Sequence, residues 1–226
     1  MKSFNREKAP IGAYDLVVFD WDGTILDTTA AIALSIQHAC VKLGLPVPST
    51  MKAKSVIGLG WQEAIKIVAP TLSPEDYPDF AHAYAERYRP AELEVHLFDG
   101  IEALLKELRA AGAELAVATG KSRRGLDRVL EQTGLRPLFS TTKTADMCAP
   151  KPNPEMLEEI AVETGMTPDR IVMVGDTTHD LLMAKAYGCR GVGVAYGAMT
   201  REMLLKAEPA AVCDSVAALR RTLGLA

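Results

Sequence analysis

Two aspartates separated by a single residue, Asp20 and Asp22, follow a short apolar run and precede Gly23. If the run is a β-strand, both carboxylates lie beyond its carboxyl end, where open α/β sheets bind ligands. One carboxylate can then attack a phosphoryl group while the other exchanges protons with the leaving alcohol and with water. A plain turn is the alternative. A calcium loop fits less well, because Thr24 and Ala31 occupy positions where acidic ligands are expected.

A second acidic group, Asp176 and Asp180, follows the apolar run 171–175. Asp176 is expected at the end of another strand, with Asp180 one helical turn further along. Carboxylates that converge there with Asp20 would form a site of hard oxygen ligands suited to Mg²⁺. The alternative is that Asp176 only caps the next helix.

Thr119 and Lys151 are the candidates for holding a phosphoryl group. Thr119, followed by Gly120, ends a predicted strand and can donate from its hydroxyl and from the backbone at a helix N-terminus. Lys151 precedes Pro152, which favours an extended backbone, and it would bring a positive charge into the site. Taken singly, Thr119 also fits an N-cap and Lys151 a surface lysine.

Alternating strand and helix signals place these residues on one sheet. Apolar runs rich in β-branched residues predict strands at 14–20, 113–119, 171–175 and 190–195, with weaker candidates at 138–142 and 210–214. Three- and four-residue apolar spacing predicts helices at 28–42, 60–68, 74–89, 100–110, 122–132, 153–164, 177–187 and 215–223. The alternation predicts an α/β fold with a doubly wound, Rossmann-like parallel sheet.

The stretch 27–94 interrupts this alternation, because its signals are almost wholly helical. It follows the first strand directly, so it would hang over the carboxyl ends of the strands. We therefore predict a core domain formed by 1–26 and 95–226, and an inserted helical cap formed by 27–94.

Composition excludes several classes of protein. A net charge of −4 and a pI of about 5.6 argue against a nucleic-acid partner. The cysteines Cys40, Cys148, Cys189 and Cys213 are scattered and predict free thiols rather than zinc ligands. No apolar run is long enough to span a membrane, and the first ten residues lack a secretory apolar segment, so a cytoplasmic location is expected. The sequence leaves the oligomeric state open.

Four short segments, taken in chain order, resemble the sequence motifs of a known superfamily. They are 20–24 (DWDGT), 118–122 (ATGKS), 151–154 (KPNP) and 175–180 (GDTTHD), and they resemble motifs I to IV of the haloacid dehalogenase superfamily. The helical insertion after the first motif is similar to that of the phosphoglycolate phosphatase-like branch. The match spans essentially the whole chain.

This resemblance implies roles for the acidic residues. Asp20 would be the nucleophile and a metal ligand. Asp22 would be the acid/base, and its backbone carbonyl would also bind Mg²⁺. Asp176 would be the third protein ligand of the metal, and Asp180 would orient a metal-bound water or Lys151.

The resemblance also implies how substrate is held. Thr119, Gly120 and Lys151 would bind the phosphoryl group. The segment 57–64 resembles the cap's specificity loop, in which Trp61 would wall off the leaving group; a packed Trp61 at a helix entry is the alternative. Lys121, with Arg123 and Arg124, is a candidate to meet a carboxylate or second phosphate; a solvated helix face is the simpler alternative for these three.

The function implied is a Mg²⁺-dependent phosphatase that acts on a small phosphorylated substrate, with 2-phosphoglycolate as the expected example. Asp22 favours phosphoryl chemistry over dehalogenation, because the dehalogenases of the superfamily lack an aspartate at that position. A pyrophosphatase, nucleotidase or sugar phosphomutase remains open, as does a binding module that has lost turnover.

Overall fold

A six-stranded parallel sheet forms the centre of the protein, whose computed structural model describes residues 14–94 and 96–225. The strands are β1 Leu16–Phe19, β2 Glu114–Thr119, β3 Thr141–Thr144, β4 Ile171–Gly175, β5 Arg190–Val194 and β6 Ala211–Cys213. Their order is β3-β2-β1-β4-β5-β6, with all pairings parallel. The predicted α/β fold class is confirmed.

Helices cover both faces of this sheet and form the inserted segment. Those of the insertion are α1 Thr29–Lys42, α2 Thr50–Lys54, α3 Trp61–Val68 and α4 Tyr77–Glu92. Those of the core are α5 Ile101–Ala110, α6 Arg123–Thr133, α7 Glu155–Thr164, α8 Thr178–Tyr187, α9 Arg201–Leu205 and α10 Val216–Thr222. One sheet face packs on α5, α6 and α10, and the other packs on α7 and α8. The strand side chains are apolar on both faces of the sheet, because helices cover both faces.

The helical insertion has an apolar core of its own. Ile36, Val56, Ile65 and Phe80 belong to one buried cluster drawn from α1, α3, α4 and the loop between them. Next to the sheet, the backbone N–H of Asp27 donates to the carbonyl of His96 at 3.0 Å, so the chain leaves and re-enters the core at adjacent points. Both features support the proposed division into core and cap, which remains a proposal; residues 1–13, 95 and 226, which it includes, lie outside the described residues.

Several predicted boundaries differ from the observed ones. The weak strand candidate 138–142 is shifted, because Arg136–Leu138 forms a 3-10 helix and β3 begins at Thr141. The predicted helix at 74–89 begins as a 3-10 turn at Pro74–Asp76, and its helical part continues through Pro90 to Glu92. The short helices α2 and α9 were not predicted.

The described residues also bear on two predictions from composition. The four cysteines are free thiols, as predicted. Within residues 14–94 and 96–225, no helix combines the length and apolarity needed to cross a bilayer. The N-terminal segment used to predict location lies outside those residues.

Candidate active site

Three of the predicted chemistry-bearing residues lie at the carboxyl ends of the neighbouring strands β2, β1 and β4. Asp20 directly follows β1, Thr119 ends β2 and Asp176 directly follows β4. Because β1 lies between β2 and β4, the three side chains meet at the carboxyl end of the sheet. This is the point where successive connections diverge to either side, the usual ligand position in such sheets.

Asp20 is a fully buried carboxylate with an unsatisfied oxygen. Within the described residues, its Oδ2 has no hydrogen-bond partner. The Lys151 ammonium lies 2.9 Å from Oδ1 as an ion-pair partner. Burial raises the pKa of Asp20 to about 7, and Lys151 only partly opposes this effect. A buried carboxylate with so few partners would be stabilised by a bound cation or by a strong hydrogen-bond donor.

Asp176 supplies a second buried carboxylate to the same place. Single oxygens of Asp20, Asp176 and Asp180 all lie within 4.8 Å of one another. Oδ2 of Asp176 accepts from the backbone N–H of Ala198 at 2.7 Å, and its Oδ1 accepts from the Thr24 hydroxyl at 3.3 Å. Burial, followed by repulsion from Asp20, raises the pKa of Asp176 well above its usual value. The cluster therefore fits a divalent cation that prefers oxygen ligands.

Gly23 and Gly197 allow the chain to wrap closely around Asp176. Gly23 has a φ of +81°, and a Cβ placed there would lie 2.0 Å from Oδ2 of Asp176. A Cβ on Gly197 would lie 2.4 Å from the same atom. Glycine is thus required at both positions by space, and at Gly23 also by backbone conformation.

Asp180 organises the start of α8 and holds Lys151. One of its oxygens accepts from the backbone and hydroxyl of Thr177, the N-cap residue of α8, at 3.1 and 2.7 Å. Its other oxygen accepts from the Lys151 ammonium at 2.6 Å. The N-cap is therefore Thr177, so the alternative in which Asp176 only caps this helix is wrong.

Lys151 is buried, so the surface-lysine alternative is also wrong. Burial acts to lower the pKa of Lys151, but Asp180 and Asp20 outweigh it and hold that pKa above its usual value. The ammonium is therefore charged and fixed beside Asp20. A point charge in this position can stabilise negative charge on a transferred phosphoryl group.

The side chain of Asp22 turns away from the acidic cluster and towards the cap side. Its Oδ1 accepts from the Thr28 hydroxyl at 2.8 Å and from the Lys121 ammonium at 3.0 Å. Lys121 also donates to the Tyr88 hydroxyl at 2.8 Å and lies 3.4 Å from Oε1 of Glu92. Burial acts to lower the pKa of Lys121, but Asp22 and Glu92 outweigh it and raise that pKa. Lys121 thus links the predicted acid/base to the end of cap helix α4.

Glu92, Tyr88 and His179 contribute contacts that were not predicted. Glu92 is buried and also pairs with Arg128 at 2.7 Å, which ties α4 to α6. His179 makes a hydrogen bond of 3.0 Å with the carbonyl of Ser55 in the cap. No local pattern marks these residues, because only the packing of cap on core brings them to the site.

Thr119 and Gly120 lie where the cap loop meets the core. Thr119 is buried, and its hydroxyl accepts from the backbone N–H of Lys121 at 3.2 Å; Ser122, not Thr119, caps α6. A Cβ on Gly120 would lie 2.6 Å from the carbonyl oxygen of Gly58. A Cβ on Gly58 would in turn lie 3.7 Å from Oδ2 of Asp20. The cap loop therefore lies directly over the predicted nucleophile.

This close approach gives a prediction with a matched control. Gly120→Ala is expected to destabilise the protein by about 1–3 kcal/mol, because the added methyl group overlaps rigid cap backbone. Gly125→Ala, in the first turn of α6, places its methyl group 3.3 Å from Oγ of Ser122, a side-chain atom that can shift slightly, so it should cost clearly less. Urea unfolding measures both. Equal effects of the two substitutions would contradict the observed contact.

The other three residues predicted to contact substrate, Trp61, Arg123 and Arg124, lie in different surroundings. Trp61 begins α3, is 37% exposed and packs edge-on against Tyr84. Arg123 bonds to Asp127 and to Thr142, so it is held along α6. Arg124 makes no hydrogen bond or ion pair within the described part of the chain, and it lines a cavity between cap and core.

Comparisons with known proteins agree with this architecture. A family model described as haloacid dehalogenase-like hydrolase matches residues 17–194. A Dickeya dadantii protein named "Probable phosphatase IndB" is 36% identical over 205 residues, covering 88% of this chain and 89% of that protein. A Vibrio cholerae protein named "Phosphoglycolate phosphatase" is 32% identical over 213 residues, covering 90% of this chain and 94% of that protein.

Solved structures extend the similarity to three dimensions. One from Haemophilus somnus, described as a "predicted phosphoglycolate phosphatase", has a TM-score of 0.80 and 26% identity, covering 93% of this chain and 98% of that one. The motifs, the fold and the relatives lead to one conclusion. The chain belongs to the haloacid dehalogenase-like hydrolase family.

Proposed function

We propose that this protein is a phosphatase that hydrolyses a phosphomonoester through a covalent phosphate on Asp20. The observation that carries the proposal is the state of the Asp20 carboxylate. It is buried, its Oδ2 has no hydrogen-bond partner among the described residues, its Oδ1 pairs with the Lys151 ammonium, and it is clustered with Asp176 at the carboxyl end of the sheet. The phosphatase names of the relatives at 36% and 32% identity support the same reaction.

In the proposed first step, an oxygen of Asp20 attacks phosphorus and the bond from phosphorus to the alcohol oxygen breaks. Asp22 gives its proton to that oxygen, so the product leaves as a neutral alcohol. Lys151 offsets the charge on the phosphoryl oxygens, and Thr119 and Gly120 supply donors to them. Thr28 and Lys121 hold the Asp22 carboxyl group in place.

In the proposed second step, water attacks phosphorus and the acyl phosphate bond to Asp20 breaks. Asp22, now a carboxylate, takes the proton from that water. Inorganic phosphate leaves, Asp20 is again a carboxylate and Asp22 is again protonated. The cap loop at Gly58 covers Asp20 and limits the access of bulk water.

Mg²⁺ fits the site, because its buried ligands are carboxylates with an unmet need for positive charge. Asp20, Asp176 and the backbone carbonyl of Asp22 would hold it. When bound, it would neutralise the negative charge shared by these carboxylates and the phosphate. Asp180, whose two oxygens already accept from Lys151 and Thr177, is better suited to positioning Lys151 than to metal binding.

The substrate that relatives suggest is 2-phosphoglycolate or a similar compact acid. The test is phosphate release, with kcat/KM compared for 2-phosphoglycolate, aryl phosphates, nucleotides, sugar phosphates and pyrophosphate. Best turnover of pyrophosphate would replace the phosphomonoester assignment with that activity. Best turnover of a nucleotide would replace the compact acid as the substrate. Isomerisation of a sugar phosphate without phosphate release would indicate a mutase. Absence of any turnover with several divalent metals would contradict the proposed function.

Metal binding gives a prediction that does not depend on activity. Mg²⁺ at 100 times its dissociation constant should stabilise the folded protein by about 2.7 kcal/mol. Asp176→Asn should remove most of this gain, because it removes one charged ligand of the cluster. Thermal unfolding with Mg²⁺ and with chelator measures the difference. A gain as large in Asp176→Asn as in the wild type would contradict this site.

Lys121 should matter most when the leaving group needs a proton. Lys121→Met removes one of the two donors that hold Asp22. General acid catalysis contributes roughly 10²–10⁴-fold, so we expect a loss of about tenfold or more with alkyl phosphates. The loss should be smaller with p-nitrophenyl phosphate, whose leaving group departs without a proton. An equal loss with both esters in steady-state kinetics would show that Lys121 does not act through Asp22.

A further inference from the structure

The cavity between cap and core is larger than a two-carbon leaving group requires. Its volume is about 410 Å³, and its lining includes Asp22, Gly58 and Gly120, beside the proposed chemistry. Sites for drug-sized ligands measure roughly 300–1,000 Å³. Glycolate alone would leave most of this space to water.

One wall of the cavity is apolar and aromatic. Ile36, Val56, Trp61 and Tyr84 line it from the cap. Trp61 keeps 37% of its surface exposed, although large aromatic side chains are normally buried where a partner is available. The ring centroids of Trp61 and Tyr84 are 5.1 Å apart, so together they form one continuous apolar surface. Such a wall favours an apolar, ring-sized body over a small acid.

The charges that line the cavity do not balance. Asp22 is matched by Lys121, and Glu92 by Arg128. Arg89 on cap helix α4 and Arg124 on core helix α6 also line the cavity. Neither arginine has a hydrogen bond or ion pair to any residue that the structure describes. Two uncompensated guanidinium groups, one from each side of the cleft, can bind an anionic group of a ligand.

We infer the class of substrate from the aromatic wall and the two unpaired arginines. This inference rests on the phosphatase function proposed above. The substrate is a phosphomonoester whose alcohol carries a ring-sized apolar body and a second anionic group. The body lies against Trp61 and Tyr84, and the second anion, a carboxylate or a further phosphate, binds Arg124 and Arg89. Arg124 and Trp61 are therefore the residues that determine specificity.

Four phosphate esters separate the parts of this inference. Phenyl phosphate has the ring alone, 2-phosphoglycolate has the second anion alone, and p-carboxyphenyl phosphate and p-phenylene bisphosphate have both. At fixed Mg²⁺, kcat/KM for the better of the two bifunctional esters should exceed that of phenyl phosphate by about tenfold or more. Whichever of the two is better identifies the second anion.

The variants are read as ratios, so a general loss of activity does not affect the comparison. Arg124→Gln should lower the ratio of bifunctional ester to phenyl phosphate, whereas Lys106→Gln, which removes an exposed charge on α5, should leave it unchanged. Trp61→Ala should lower the ratio of phenyl phosphate to 2-phosphoglycolate. Best turnover of 2-phosphoglycolate, or ratios that neither variant changes, would overturn the inference while the phosphatase function stands. No hydrolysis of any ester would overturn both.

Discussion

Asp20→Asn should abolish phosphate release while the fold is retained. The amide cannot act as the nucleophile, and losses from removing a nucleophile are on the order of 10⁴-fold or more in kcat. The substitution preserves the shape of a side chain that is fully buried. Steady-state release of phosphate from the best substrate, with Mg²⁺ present, measures the effect.

The stability of this variant separates a chemical role from a structural one. Asparagine removes a buried carboxylate with a strongly raised pKa, and Lys151 keeps Asp180 as its partner. The melting temperature in chelator should therefore equal or exceed that of the wild type. Asp127→Asn, an exposed carboxylate on α6, is the matched control and should retain full activity. Turnover by Asp20→Asn near the wild-type rate would remove Asp20 from the mechanism.

Lys151→Met should cause the largest loss of stability. It leaves Asp20 and Asp180 buried without the Lys151 ammonium, which lies within 3 Å of both. Removing one partner of a buried pair typically costs about 3–5 kcal/mol. Activity should also be lost, because the positive charge beside the proposed nucleophile is removed. Urea unfolding in chelator measures the free energy of unfolding.

Two further variants show whether charge burial is the cause. Lys143 is also buried, but its partners Glu159 and Glu163 are 41% and 47% exposed, so Lys143→Met should cost less and leave turnover intact. Adding Asp180→Asn to Lys151→Met removes one unpaired carboxylate and should restore part of the lost stability. A double variant no more stable than the single one would show that lost packing, not charge, destabilises it.

The fold could be predicted wherever local sequence and tertiary burial agree. The strands β1, β2, β4 and β5 are covered on both faces, so their apolar runs are visible in the sequence. By contrast, β3 at Thr141–Thr144 is an edge strand without an apolar run, and its position was predicted with an error of three residues at its start. Helices α2 and α9 have five residues each, too few to show a periodic pattern.

Three motif residues of the site were predictable because each follows or ends one of the neighbouring strands β1, β2 and β4. Asp20, Thr119 and Asp176 are brought to one edge by sheet order alone. The surroundings of Asp22 were not predictable in the same way. Lys121 was expected to meet substrate, but its ammonium lies against Asp22, Tyr88 and Glu92, and its role in binding substrate stays a prediction. Those contacts depend on how the end of α4 packs on the core.

The central claim is that phosphate passes through a covalent bond to the Asp20 carboxylate. The direct test stops turnover with acid and treats the protein with borohydride, which reduces an aspartyl phosphate to homoserine. Peptide mass spectrometry then identifies the modified position. Asp22→Asn with p-nitrophenyl phosphate is the favourable variant, because the phenolate leaves without a proton while attack by water is slowed. The predicted result for this variant is homoserine at position 20 and at no other aspartate position. Rapid phosphate release with position 20 unmodified, or a label on another residue, would contradict the account.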